Sequence, residues 1–330
     1  GAEAGSAGGG GARGELPSAP LEWTAAASLF AGVKTQQGEY ASLRLSVNNG
    51  RDDALFVLDT AASVTLITPA AAGRLQARRT GVGAGPGVAG TGSTAASYQV
   101  SLGVASLAGH PLGDLTAVVM ELPTGQSTDG ILGLDFFNRF EAVELDWATR
   151  PGTVTLAPRG ASSAAGALSA GLAECRLDRL GMGLLTVTIT VGEGTGATEM
   201  PALLDSGAAF SCLNSAGASA AGVRSDPSVE PMWVAGASGQ PMAMGVADRD
   251  VAFAPAAGGG SGRPAPALGG VRPLVGDLPA FAALGLAALG YDARWHKVRD
   301  GASSKSNSPR GNLLLDDDVA VARRVHDRHP

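Results

Sequence analysis

Cysteine, histidine and aromatic residues are scarce in this chain of 330 residues. It has two cysteines and four histidines, and aromatic residues make up 5% of the sequence. Two cysteines do not make a disulfide framework; Cys175 and Cys212 could pair with each other, but we interpret them as free buried thiols. The histidines lack the spacing of metal ligands, so we predict neither a metal site nor a cofactor. The core must therefore be built largely from Ala, Val and Leu.

Two further absences restrict the classes of function. No apolar run reaches the roughly 18 residues that a membrane span needs. The formal net charge of −6 gives no basic surface for nucleic acid. We therefore predict a soluble protein that binds neither membranes nor nucleic acid. No Asn-x-Ser/Thr acceptor is present, which favours an intracellular or organellar protein over a secreted one, although the compartment stays unknown.

Composition and pattern divide the chain into five segments. Residues 1–33 are predicted to be a flexible Gly/Ala-rich leader, 34–160 an N-terminal lobe, 161–173 a linker, 174–300 a C-terminal lobe and 301–330 a polar tail. The second lobe repeats the signals of the first in the same order. A repeat of this length indicates a duplicated domain.

Alternation of apolar and polar residues predicts strands at corresponding places in the two lobes. Residues 40–47 and 184–191 alternate, and each run is followed by a turn and a buried strand, over 54–59 and 200–205. Many short strands with Gly-rich turns indicate a mostly β fold.

Weaker local signals predict the remaining elements of the lobes. We expect a short helix over residues 66–75, short strands interrupted by glycines over 98–115, and a closing hairpin over 142–147 and 153–156. Residues 313–315 are predicted to form a strand that takes the place of this hairpin in the second lobe.

Two short segments repeat one chemical pattern, in which an apolar strand runs into Asp-Thr/Ser and then into small residues. They are Asp59-Thr60-Ala61-Ala62 and Asp205-Ser206-Gly207-Ala208. A Val-Ala-Gly follows each, with its glycine 31 positions after the aspartate, as Val88-Ala89-Gly90 and Val234-Ala235-Gly236. We predict that these Gly-rich segments form hairpins that close over an extended substrate.

Two aspartates at the ends of buried strands favour the chemistry of paired acids. Carboxylates about 3 Å apart share one proton, because at an effective dielectric near 20 their charges repel by roughly 5–6 kcal/mol. The ionised acid can take a proton from a trapped water while the protonated one donates. We predict that Asp59 and Asp205 are this pair. The hydroxyls of Thr60 and Ser206 are expected to tie the two loops together, and the small residues that follow let amides approach the carboxylates.

The two loops resemble the Asp-Thr/Ser-Gly-Ala active-site loop of the retropepsin-like aspartic proteases. Ile131-Leu132-Gly133 and Ala288-Leu289-Gly290 resemble the hydrophobic-hydrophobic-Gly motif that packs behind the loop in that family. The resemblance covers about residues 39–158 and 184–292. It implies a closed, mostly β barrel fold of two lobes with pseudo-twofold symmetry. It also implies an aspartic endopeptidase that cleaves peptide or protein substrates without a metal or cofactor and is inhibited by pepstatin-type compounds.

Two departures from the family pattern keep an alternative open. Ala61 stands where the family has glycine, and its methyl group is expected to crowd the substrate or twist the loop. The region after Asp292 lacks a counterpart of the hairpin around Trp147. These departures favour a catalytically impaired peptide-binding module on the same scaffold. We expect a monomer containing an intramolecular pseudo-dimer; an obligate homodimer whose lobes pair between chains is the other arrangement.

Other interpretations of the same residues are weaker. A single Asp-Thr-Ala-Ala is typical of a helix N-cap or turn, and only its repetition favours an acid pair. The run from Gly85 to Gly90 fits Gly-x-Gly-x-x-Gly, but a loop rather than a helix follows it, so a dinucleotide site is not predicted. Asp135 and Asp292 follow the two Leu-Gly motifs and are interpreted as structural.

Overall fold

A computed structural model describes residues 16–25, 39–81, 97–122, 128–146, 150–163, 173–192, 194–208, 210–235, 241–255, 268–278, 290–291, 311–316 and 319–324. Strands dominate these ranges, and the three α-helices that lie wholly within them have four or six residues each. None of the helices described is long and apolar enough to cross a membrane.

The strands of the first half of the chain are β1 (Ser18–Pro20), β2 (Glu22–Ala25), β3 (Glu39–Val47), β4 (Asp52–Leu58), β5 (Leu66–Ile67), β6 (Arg78–Gly81), β7 (Tyr98–Leu107), β8 (His110–Val119), β9 (Gly130–Leu132), β10 (Phe140–Asp146) and β11 (Thr153–Pro158). Its helices are α1 (Pro69–Arg74) and α2 (Leu134–Phe137).

The strands of the second half are β12 (Ala173–Arg176), β13 (Asp178–Arg179), β14 (Leu185–Val191), β15 (Thr198–Leu204), β16 (Cys212–Leu213), β17 (Met232–Ala235), β18 (Pro241–Val246), β19 (Val251–Pro255), β20 (Leu268–Val271), β21 (Leu274–Val275), β22 (Gly290–Tyr291), β23 (Gly311–Asp316) and β24 (Val319–Arg324). Helix α3 spans Ser215–Ala220, and 3-10 turns lie at Gly181–Gly183 and Gly194–Gly196.

The first lobe is an eight-stranded sheet that closes on itself. Its strand order is β2-β3-β4-β9-β5-β8-β7-β6, and an additional pairing of β3 with β7 closes the barrel. Strand β3 buries Leu43, Leu45 and Val47 while Arg44 stays exposed, as its alternating sequence predicts. The mostly β, closed-barrel fold expected from the sequence is confirmed.

The second lobe is a ten-stranded sheet with the order β17-β18-β21-β16-β22-β15-β14-β19-β20, in which β13 also pairs with β14. Four of its strands repeat an arrangement of the first lobe. In the first lobe β4 is parallel to β9, β9 is antiparallel to β5, and β5 is parallel to β8. Strands β15, β22, β16 and β21 pair in the same order with the same directions. Each acid-bearing strand is therefore held by the same set of neighbours.

A six-stranded sheet, with the order β1-β11-β10-β23-β24-β12, joins the two ends of the chain. The predicted hairpin of the first lobe is present in it as β10 and β11. Strand β23 pairs antiparallel with β10, with Val143 opposite Leu315 and Leu145 opposite Leu313. Leu313–Leu315 thus form the predicted strand, and the first lobe's hairpin supports them directly.

The two terminal segments differ from their predictions. Residues 18–25 fall in the predicted flexible leader but form β1 and β2, because Leu21 is buried and both strands find edges to pair with. Residues 311–324 fall in the predicted polar tail but form the β23–β24 hairpin. The sequence prediction missed these short apolar runs because the first lies beside a low-complexity segment and the second lies in a segment that is polar overall. The boundaries of the lobes and linker stay predictions.

Two local predictions also need correction. The predicted helix over residues 66–75 begins with strand β5, because Leu66 and Ile67 pair with β9, and only Pro69 starts the helix. The interruption expected at Gly109 is the turn between β7 and β8, but β8 continues through Pro111 and Gly113, where the pairing shifts register instead of ending. Glycine there accommodates bulges within continuous pairing.

Candidate active site

Each of the two predicted aspartates comes directly after a buried strand. Asp59 follows β4, and its N–H donates to the carbonyl of Leu132 in the parallel neighbour β9 at 3.1 Å. Asp205 follows β15, which is parallel to β22 in the same way. Because parallel neighbours fix the end of each strand, both aspartates leave the sheet at a defined position, and both are half-buried.

The loops that carry the aspartates lie against each other. The Thr60 hydroxyl donates to the carbonyl of Leu204 at 2.7 Å, and the Ser206 hydroxyl donates to the carbonyl of Leu58 at 2.8 Å. Each hydroxyl thus reaches the residue that precedes the aspartate of the other loop. Residues 146 positions apart in the sequence are brought into contact by these bonds.

The backbone completes a reciprocal set of four hydrogen bonds. The Thr60 N–H donates to the Ser206 hydroxyl at 3.1 Å, and the Ser206 N–H donates to the Thr60 hydroxyl at 3.0 Å. Both residues are 0% exposed. Each hydroxyl therefore donates once and accepts once within the junction. The predicted role of Thr60 and Ser206 in tying the loops agrees with this geometry.

The small residues after each aspartate hold its carboxylate through backbone N–H groups. Oδ1 of Asp59 accepts from Ala61 N at 2.8 Å and from Ala62 N at 3.1 Å. In the second loop Oδ1 of Asp205 accepts from Gly207 N at 2.8 Å. The next residue, Ala208, is half-buried. Both carboxylates are thus oriented by their own turn.

Asp59 also lies directly against the opposite loop. A methyl group built on Gly207 would come within 2.7 Å of Oδ2 and 2.8 Å of Cβ of Asp59, and closer still to its Cγ. These distances are shorter than side-chain carbons adopt, so only glycine leaves room for Asp59 in its present position. The acid of the first lobe is in contact with the acid loop of the second.

The hydrophobic-hydrophobic-Gly motif of the first lobe packs behind its loop. Leu134 N donates to the carbonyl of Ala62 at 2.8 Å. A methyl group on Gly133 would lie 2.5 Å from the Val64 carbonyl oxygen and 2.7 Å from that of Ala62. The glycine therefore permits a close backbone approach that supports the loop from below. In the second copy, Gly290 lies in β22, while Ala288 and Leu289 lie outside the described residues.

Sequence reasoning missed a brace behind the first loop. The Thr65 hydroxyl donates to Oδ1 of Asp135 at 2.8 Å, and Gly133 N donates to the Thr65 hydroxyl at 3.4 Å. This agrees with a structural role for Asp135. A signal was present in the sequence, because a hydroxyl residue stands six positions after each loop aspartate, as Thr65 and Ser211.

The predicted substrate-covering hairpins are only partly described. Val234 and Ala235 lie in β17, which pairs with β18, but Gly236 lies outside the described residues. Val88, Ala89 and Gly90 also lie outside them. In the second lobe, Met232 and Val234 pack on a small apolar cluster of Cys212, Met244 and Leu274, together with Phe210. This hairpin therefore contacts the segment that follows the Asp205 loop.

Comparisons with known proteins find similarity to aspartic proteases. Residues 43–136 match the family model described as aspartyl protease. The structure resembles the aspartic proteinase from Irpex lacteus with a TM-score of 0.51 and 12% identity, over 93% of this chain and 97% of that one. The chain has the aspartic proteinase fold. The resemblance predicted from the two loops is thereby confirmed.

Two other solved structures are similar at lower scores. A retropepsin-like aspartic protease from Rickettsia conorii gives a TM-score of 0.24 with 17% identity, over 36% of this chain and 81% of that one. Basic 7S globulin from soybean gives 0.44 with 8% identity, over 93% of this chain and 95% of that one. A search of curated protein sequences gave no significant match.

Proposed function

We propose that this chain is an aspartic endopeptidase in which Asp59 and Asp205, one from each lobe of a duplicated fold, activate a water molecule for peptide hydrolysis. The observation that carries the proposal is the reciprocal set of hydrogen bonds between Thr60 and Ser206. These bonds hold the residues next to both aspartates in one buried junction, which supports a common site for the two acids.

The chemistry follows from two carboxyl groups with one shared proton. The ionised carboxylate accepts a proton from the water molecule as the water oxygen attacks the peptide carbonyl carbon. The protonated carboxyl donates its proton to the carbonyl oxygen of the substrate. Cleavage of the C–N bond then requires a proton on the leaving nitrogen, which the same pair supplies. The pair titrates as a unit, so activity is expected at acidic pH, where one proton remains bound.

The loop geometry supports this role for the acids. Backbone N–H groups orient both carboxylates within their own turns, at 2.8 Å in each case. Thr60 and Ser206 fix the spacing of the loops, and Ala61, Ala62, Gly207 and Ala208 surround the carboxylates with small side chains. Val88-Ala89-Gly90 and Val234-Ala235-Gly236 are proposed to cover an extended peptide substrate.

The test is cleavage of a denatured protein between pH 3 and 6, with and without pepstatin, by the wild-type chain and by Asp59→Asn and Asp205→Asn. Removing either acid removes half of the pair, so each variant should lose more than about 1,000-fold in kcat/KM. Asp114→Asn is the matched control, because Asp114 is exposed in the distant strand β8. Pepstatin-sensitive cleavage retained by either loop variant would exclude this mechanism.

A second candidate function is peptide binding without turnover. The methyl group of Ala61, at a position where the other loop has Gly207, favours it. The same cleavage assay distinguishes the two candidates, because a binding module binds peptides but does not cleave them at acidic pH. Efficient cleavage by the unmodified chain would remove this second candidate.

A further inference from the structure

The two acid loops make the same backbone hydrogen bond to their carboxylates despite their different third residues. Ala61 N and Gly207 N donate to the carboxylates of their own loops at the same distance, 2.8 Å. Neither residue is among those with positive φ. Alanine is therefore compatible with the backbone of the first loop, and glycine in the second loop is not required by its own backbone. The expected twisting of the loop by Ala61 does not occur at this bond.

Gly207 is needed for a different reason, which lies in the other lobe. The space that its missing side chain leaves is occupied by the carboxyl group of Asp59, 2.7 Å from the ideal Cβ position to Oδ2. The residue at this place in one loop thus decides how closely the acid of the other lobe can approach. Residue 207 must be glycine because of the position of Asp59, not because of the conformation of its own turn.

The contacts between the loops through Thr60 and Ser206 are reciprocal. These two residues exchange equivalent hydrogen bonds, which differ by 0.1 Å in each of the two pairs. Ala61 follows Thr60 as Gly207 follows Ser206, so it occupies the equivalent place in the first loop. Ala61 is 8% exposed and belongs to the buried apolar cluster of the protein.

We infer that Ala61 faces Asp205 as Gly207 faces Asp59, and that Ala61 is therefore a positioning residue for Asp205. Its methyl group holds the Asp205 carboxyl further from the junction than Gly207 holds that of Asp59, and the acid pair is therefore wider and less symmetric than a pair with two glycines. The inference rests on the proposed function only for its effect on rate. The position of Asp205 itself does not depend on whether the chain cleaves peptides.

The test is Ala61→Gly in the full chain, with two independent readouts. The first is peptide cleavage, where kcat should rise about 10- to 100-fold with little change in KM, because a misplacement of about 1 Å costs this much. The second is the ¹³C resonance of aspartate carboxyls during a pH titration, assigned with Asp59→Asn and Asp205→Asn. The two apparent pKa values should separate by about one further pH unit, since the carboxyls approach each other.

Ala108→Gly is the matched control, because Ala108 lies exposed in the turn between β7 and β8 with a φ of 48°, a conformation that glycine adopts easily. It should leave both readouts unchanged. An unchanged kcat together with an unchanged carboxyl titration in Ala61→Gly overturns the inference. A changed titration without cleavage by any variant supports the positioning role and removes the proposed function instead.

Discussion

The loops of Asp59 and Asp205 orient their carboxylates with the same backbone hydrogen bond but differ in the residue that donates it. The first loop has Ala61 and the second has Gly207, and both donate to their own carboxylate at 2.8 Å. The contact of Gly207 with Asp59 shows that the constraint on residue 207 comes from the other lobe. The residue at this position can therefore differ between the two loops while the backbone hydrogen bond to the carboxylate stays the same.

The lobes differ also at the start of the helix that follows each acid loop. In the second lobe, Asp277 accepts hydrogen bonds from both the N–H and the hydroxyl of Ser215, at 2.8 and 2.7 Å. The corresponding positions of the first lobe, Glu121 and Pro69, cannot make this pair, because proline has no N–H to donate. The second lobe therefore has a brace at the start of α3 that the first lobe lacks at α1.

The largest effect is expected for Gly207→Ala, which gives the second loop the methyl group that the first already has. The new Cβ would lie 2.7 Å from Oδ2 of Asp59, so the carboxyl or the loop must move. We expect a loss of at least about 100-fold in kcat and of about 1–3 kcal/mol in the free energy of unfolding. Cleavage assays and urea denaturation measure both. Wild-type activity in this variant would show that Asp59 does not need its present position.

Thr60→Val and Ser206→Ala test whether the two halves of the junction are equivalent. Each change removes a fully buried hydroxyl and leaves one carbonyl and one N–H without a partner, for example Leu204 O and Ser206 N in Thr60→Val. We expect each variant to lose about 2–4 kcal/mol in the free energy of unfolding. Urea denaturation of both single variants and of the double variant should also reveal coupling of about 0.5–3 kcal/mol. Strictly additive losses would contradict a reciprocal junction.

Gly133→Ala tests the support behind the first loop alone. Its methyl group would lie 2.5 Å from the Val64 carbonyl oxygen, which is part of the backbone and cannot swing away. We expect a loss of about 1–3 kcal/mol, measured by thermal or urea unfolding. Gly73→Ala is the matched control, because nothing lies within 4 Å of the position in helix α1. That control should be neutral or stabilising by up to about 1 kcal/mol.

The smallest effect is expected at the brace of the second lobe. Hydrogen bonds from the backbone and the hydroxyl of Ser215 lower the pKa of the Asp277 carboxyl below its ordinary value of 3.8. A depressed folded-state pKa contributes stability above pH 3.8 that is lost as the pH falls below that value. Asp277→Asn should therefore lower Tm slightly at pH 6 and less at pH 3. A Tm difference that grows toward pH 3 would contradict this assignment.

Much of the site was predictable because its chemistry is local in the sequence. Each aspartate stands at the end of an apolar strand and is followed by small residues, and both features belong to four or five consecutive positions. The repeat of this pattern, with a Val-Ala-Gly at equal spacing, was enough to predict a pair of acids. The buried strands follow from an equally local rule, alternation, and the Gly133 motif was predicted from the resemblance to the retropepsin-like family.

The remaining features depend on residues that are far apart in the chain. The brace between Thr65 and Asp135 joins positions 70 apart, and the contact of Gly207 with Asp59 joins the two lobes. The strands at residues 18–25 and 311–324 are short and lie beside low-complexity segments, so pattern alone assigned them to a leader and a tail. They become strands because β11, β3 and β10 offer edges for pairing.

The mostly β class, the two acid-bearing strands and the small residues after each aspartate followed from the amino-acid sequence, because they depend on neighbouring residues and on burial. The partners of each hydroxyl, the contact of Asp59 with Gly207 and the strands at residues 18–25 and 311–324 became apparent in the folded structure. Those features are hydrogen bonds and contacts between distant segments, and such contacts exist only after the sheets have brought the segments together.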